Sequence, residues 1–123
     1  MNAVFIVATG GALGSVARYV LNIVVTKTLG DAFPWGILVA NVLGCFLMGA
    51  LSAYFMQRLP EGEAVRLFLT TGFLGGFTTF SAFSFDVLNL VNGGQNNVAI
   101  LYVFVSVALS VLAVFAGFVL LKA

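Results

Sequence analysis

Residues 70–86 read TTGFLGGFTTFSAFSFD. The stretch lies inside a long apolar segment, yet it carries three glycines, four threonines and two serines, with phenylalanine at 73, 77, 80, 83 and 85. Glycine costs about 1 kcal/mol in a helix interior, and Gly75 and Gly76 fall near the middle of the segment. In hydrocarbon, backbone that leaves the helix is tolerated only where protein or a polar cavity satisfies the freed groups. The stretch therefore predicts a membrane helix broken mid-membrane around a functional site.

Composition agrees with a membrane setting. Of 123 residues, 62% are hydrophobic, and five basic and four acidic side chains are the only charges. Mean hydropathy is +1.17. A soluble domain of this size needs a far more charged surface. A net charge of +1 without a basic run excludes a nucleic-acid partner. Cys45 is the one cysteine, inside an apolar run, and reads as a small packing residue rather than a reactive thiol. Without histidine or a cysteine cluster, the usual transition-metal sites are excluded. The N-terminus has no basic n-region and carries Arg18 within its apolar run, so it reads as a retained helix and not a signal peptide.

Working outward, four spans fit the roughly 20-residue requirement for crossing a bilayer. They are 3–25, 33–57, 64–91 and 98–121, joined by short connections in a single domain, 1–123. Trp35 and Tyr54 suit interfacial anchoring. A straight helix over 64–91 would reach about 42 Å, beyond a hydrocarbon core of about 30 Å, and a central break absorbs the excess. Small residues four apart recur at Gly10 and Gly14, Ala40 and Gly44, Gly72 and Gly76, and Ala113 and Gly117, a spacing that lets membrane helices approach closely. Arg58, Arg66 and Lys122 fall on one side of the membrane, Arg18 and Lys27 toward the other. Three against two hardly sets an orientation, which admits an antiparallel dimer of oppositely inserted copies.

Several residues can carry chemistry, each with a plainer role beside it. Arg18 is either a snorkelling anchor or a cation that draws an anion toward a vestibule. Asn41 in the second span is either interhelical glue or a donor on a path. Tyr102, Ser106 and Ser110 fall at i, i+4 and i+8 on one helix face, which suggests a polar track, although serines can bond back to their own i−4 carbonyls. After the break, a new helix from about Thr79 can be capped by Thr78, Thr79 or Ser81. Its N–H groups and positive dipole end suit an anion, while carbonyls of the unwound Gly75–Thr78 stretch can hold a cation. Phe77, Phe80 and Phe83 are spaced by three and predicted to share one face. Aromatic edges are positive, so the row either lines an anion path or is ordinary packing. Asp86, the one carboxylate well inside a span, is expected at the outer end of that path. No nucleophile with a base, carboxylate pair or phosphate loop is present, so the chain does not read as an enzyme.

The stretches GGALGSVARY (10–19), PWGILVAN (34–41) and above all GFLGGFTTFSAFSFD (72–86) resemble the Fluc family of fluoride channels, also called CrcB-like proteins, and the likeness runs along essentially the whole chain. The resemblance implies an antiparallel dual-topology homodimer with two fluoride pathways and a structural sodium ion at the dimer centre. By position, Phe80 and Phe83 resemble the aromatic pair lining the pathway and Asn41 the amide that helps bring fluoride to it. Ser81, Ser84, Tyr102, Ser106 and Ser110 fall where the family places polar track residues. Gly75 and Thr78 resemble the carbonyl ligands of sodium, and Arg18 the vestibule arginine. Members commonly read TTFSTFS where this chain has Ala82, and often carry threonine where Ile37 stands. The expectation is an all-α multi-pass protein of the bacterial inner membrane that exports fluoride passively. The alternatives are a small dual-topology multidrug transporter, which needs a carboxylate in the first span where none stands, and an accessory subunit without a pathway.

Overall fold

A computed structural model describes residues 2–57 and 62–122. Residues 58–61 of the second connection, with Arg58, lie outside the described residues, and so does that part of the charge count. Four helical stretches are long and apolar enough to cross a membrane: Ala3–Leu29, Trp35–Gln57, Glu63–Asn92 and Asn96–Lys122. Strands are absent among the described residues. The chain is thus an all-helical, multi-pass membrane protein.

Helix α1 spans Ala3–Leu29 and starts on Asn2, whose side-chain oxygen accepts from the Val4 N–H at 2.8 Å. It ends at Gly30, where φ of +88° turns the chain and the N–H donates to the Thr26 carbonyl at 2.8 Å. The first span therefore runs four residues past its expected end at 25. Thr28 stays helical by returning its hydroxyl to the Val24 carbonyl at 2.9 Å, and the signal that stops the helix is the glycine. Helix α2 is Trp35–Gln57 and helix α6 is Asn96–Lys122.

Between them, residues 63–92 form several pieces. Helix α3, Glu63–Leu67, runs into a π-helical segment, Phe68–Leu74, and then into α4, Gly75–Phe77. Thr78 is extended, with φ −88° and ψ 155°. Helix α5, Ser81–Asn92, follows. The expected single row of Phe77, Phe80 and Phe83 does not form, because the extended residue separates them. Phe77 stacks on Phe73 with ring centroids 6.0 Å apart, whereas Phe80 tilts against Phe83 at 5.5 Å.

The small residues set which helices meet. A Cβ on Gly10 would sit 2.7 Å from the Phe68 carbonyl oxygen, and one on Gly14 would overlap the Phe73 carbonyl, so α1 lies directly on the π-helical segment and α4. Likewise Gly117 faces the Phe46 carbonyl and Gly49 the Val114 carbonyl, which draws α6 against α2. Gly49 is a contact the four-residue spacing did not single out. The core is divided accordingly. One cluster gathers Ile37, Leu38, Phe83, Leu90, Ala99 and Tyr102 around α5, and the other gathers Ala40, Leu74 and Phe77 around α4.

Candidate functional site at the α4–α5 junction

The junction is held from two neighbouring helices. From α2, the Asn41 amide grips the Thr79 backbone at both ends: Nδ2 donates to the Thr79 carbonyl at 3.1 Å, and Oδ1 accepts from the Thr79 N–H at 2.8 Å. From α1, Arg18 Nε donates to the Gly76 carbonyl at 3.1 Å. The Thr79 hydroxyl in turn accepts from the Ala82 N–H at 3.1 Å, so of the three expected candidates Thr79, one residue before the N-cap position Phe80, supplies the side-chain bond to the first turn of α5.

These bonds redirect two donors. In an uninterrupted helix, the Thr79 N–H would bond the Gly75 carbonyl and the Ala82 N–H the Thr78 carbonyl. Here Asn41 takes the first and the Thr79 side chain takes the second. The carbonyls so relieved belong to Gly75 and Thr78, the pair that the family resemblance implies as cation ligands. Thr78 keeps its own N–H and hydroxyl on the Leu74 carbonyl, both at 2.9 Å, so its carbonyl is the group left over.

Beside the junction lies a cavity of about 450 Å³. It is lined by Asn41 and Cys45 of α2, by Gly75, Thr78, Thr79, Phe80 and Phe83 around the junction, and by Ser106, Val107, Ser110 and Val111 of α6. It is a groove open on one side, with Phe80 on its lip 77% exposed. Phe83 by contrast is buried, its ring 5.1 Å from that of Tyr102. Ser106 is 5% exposed, and its hydroxyl is buried without a hydrogen-bond partner. Thr9, Thr28, Thr70 and Thr78 all return their hydroxyls to i−4 carbonyls, but Ser106 does not. A buried hydroxyl left unpaired costs about 1–3 kcal/mol, and this one belongs to a residue that lines the groove.

Seven of the eleven residues singled out from the sequence thus line one cavity. The other four lie elsewhere. Arg18 bonds the Gly76 carbonyl behind the junction. Ser81 is exposed, its hydroxyl 3.3 Å from that of Thr79, and Ser84 is exposed on α5. Tyr102 is fully buried, and its hydroxyl donates to Asp86 Oδ2 at 2.9 Å. Asp86 in turn borders a second cavity of about 390 Å³ with Asp31, Asn89 and Gln95, next to the connections that end the helices. The sequence reading missed that pairing, although a lone carboxylate within a span implies a donor on a neighbouring helix. It also missed Cys45 as a lining residue. The signal was its place four residues after Asn41, on the same face of α2.

Comparison with known proteins agrees with this architecture. The profile of the family described as "CrcB-like protein, Camphor Resistance (CrcB)" matches residues 5–118. A Rhizobium meliloti protein named fluoride-specific ion channel FluC is 48% identical over 123 residues, covering 100% of this chain and 98% of that one. A protein of the same name from Magnetococcus marinus is 51% identical and covers 92% of each chain. One from Thermus thermophilus is 46% identical, covering 96% of this chain and 94% of its own. With a family profile over nearly its whole length and full-length relatives near half identity, the chain belongs to the CrcB-like family.

Proposed function

We propose that this protein is a fluoride-selective channel that lets the ion leave the cytoplasm passively through the groove at the α4–α5 junction, and that it has no enzymatic activity. The observation that carries the reading is the buried, unpartnered hydroxyl of Ser106, a residue that lines the same groove as Phe80 and Phe83. Fluoride holds its water tightly, so a path for it must supply replacement donors in a dry space. Ser106 supplies a hydroxyl, the phenylalanines supply positive ring edges, and Asn41 retains a second N–H beyond the one it gives to Thr79. The relatives named as fluoride-specific channels support the choice of ion.

In this reading the third helix is broken mid-membrane and the working unit is an antiparallel, dual-topology homodimer in the lipid bilayer of a bacterial inner membrane. The groove's open side and exposed lip suit coverage by a second copy. The Gly75 and Thr78 carbonyls, relieved of their helical donors, fit a sodium ion, since hard cations take oxygen ligands. Bound between the copies, that ion supplies a positive charge that offsets converging carbonyl dipoles. Purified protein in liposomes tests the function. Fluoride efflux with no matching chloride efflux is expected, and equal chloride efflux or none of either overturns the reading.

A further inference from the structure

We propose that Asn41 is a positioning residue that opens the cation site, acting through Thr79 and not solely as a donor on the anion path. The inference rests on the sodium reading above and goes beyond it by naming what keeps the carbonyls available. The two-point grip on Thr79 occupies the N–H and the C=O that a helix needs to propagate through that residue. Thr79 N–H has two places to go: the Asn41 amide or the Gly75 carbonyl. In apolar surroundings an unbonded N–H is costly, so losing the amide drives it back to Gly75. The helix then closes over the oxygen that sodium would use. The amide therefore couples the two sites: the side chain that borders the groove also sets whether the Gly75 carbonyl on the groove's edge is free.

Two substitutions separate positioning from a role confined to fluoride. Asn41→Leu keeps bulk and removes both bonds. Asn41→Asp keeps an oxygen for the Thr79 N–H, loses the donor to its carbonyl and adds a negative charge that itself favours a cation. The readout is the melting temperature of the purified dimer in sodium and in N-methylglucamine, with fluoride efflux measured in parallel. Wild type is expected to melt higher in sodium. Asn41→Leu should lose that difference, Asn41→Asp should keep it, and both should lose efflux. A full sodium shift in folded Asn41→Leu, or its loss in folded Asn41→Asp, overturns the proposal while the sodium reading stands. If neither variant folds, Asn41 serves folding at large and the proposal also fails. A wild type indifferent to sodium overturns the sodium reading itself, and the proposal with it.

Discussion

The α2–α6 pair and the α4–α5 junction are held together by opposite means. Where α2 meets α6, two regular helices press glycine against backbone, Gly49 to Val114 and Gly117 to Phe46. Gln57 adds hydrogen bonds at the far end, to the Leu121 and Lys122 carbonyls at 3.1 and 2.7 Å. At the junction, glycine contacts with α1 are joined by tethers to individual backbone groups, from Arg18 to Gly76 and from Asn41 to Thr79. Regular helices satisfy their own backbone, so close packing is enough to pair them. Backbone that leaves the helix must be satisfied group by group. In the proposed function, the groups left unsatisfied at the junction are the ones that meet ions.

The largest break in this comparison comes from the packed pair. Gly117→Leu places a side chain where the Phe46 carbonyl stands. Backbone on both sides cannot give, so a cost of about 3 kcal/mol or more is expected, read as loss of monodisperse protein after purification. Recovery at wild-type yield would remove close packing as the basis of the α2–α6 contact.

A glycine at the junction should behave differently. Gly75 is exposed, and a Cβ there meets only the Thr70 carbonyl oxygen, at an ordinary 3.7 Å. Gly75→Val should leave the protomer folded, with helical content unchanged by circular dichroism, and still abolish the sodium-dependent dimer and its efflux. A dimer of unchanged mass in that variant would place Gly75 away from the contact between copies.

The two rings of the groove sharpen the contrast next. An aliphatic side chain of similar bulk has no ring quadrupole. Phe80→Ile and Phe83→Ile should each slow efflux about tenfold or more, which corresponds to about 1.4 kcal/mol of barrier. Phe83 is packed against Tyr102, so its variant should also lose about 1 kcal/mol of stability. Phe80, exposed on the lip, should lose none. Wild-type efflux per folded dimer in both would leave the rings as packing.

The smallest effects distinguish the hydroxyls. Ser106→Ala removes an unpartnered buried group, so stability should hold or rise by about 1 kcal/mol while efflux falls. Ser81→Ala, at an exposed position outside the groove lining, should change efflux by about twofold at most, an effect of about 0.4 kcal/mol on the barrier. Thermal melting and efflux on the same preparations check both, and a larger loss at Ser81 than at Ser106 would move the path out of the groove.

The sequence by itself determined the four apolar helices, most of the small residues at close helix contacts and the concentration of polar groups around residues 75–83, since these follow from composition and helical periodicity, whereas Gly49 and the choice of partner helices do not. Motif likeness named the family, and the full-length relatives bear it out. The tertiary structure decided which group each polar residue meets. Tyr102 and Ser106 stand four residues apart on one helix face, yet one hydroxyl is taken by Asp86 and the other is free. Asn41 and Arg18 both read as polar side chains in a span, and only the packing of α1 and α2 shows them gripping Thr79 and Gly76. Periodicity fixes the face a residue shares with its own helix, whereas a hydrogen bond depends on the register between helices. That register is set by how closely Gly10, Gly14, Gly49 and Gly117 let neighbouring backbones approach.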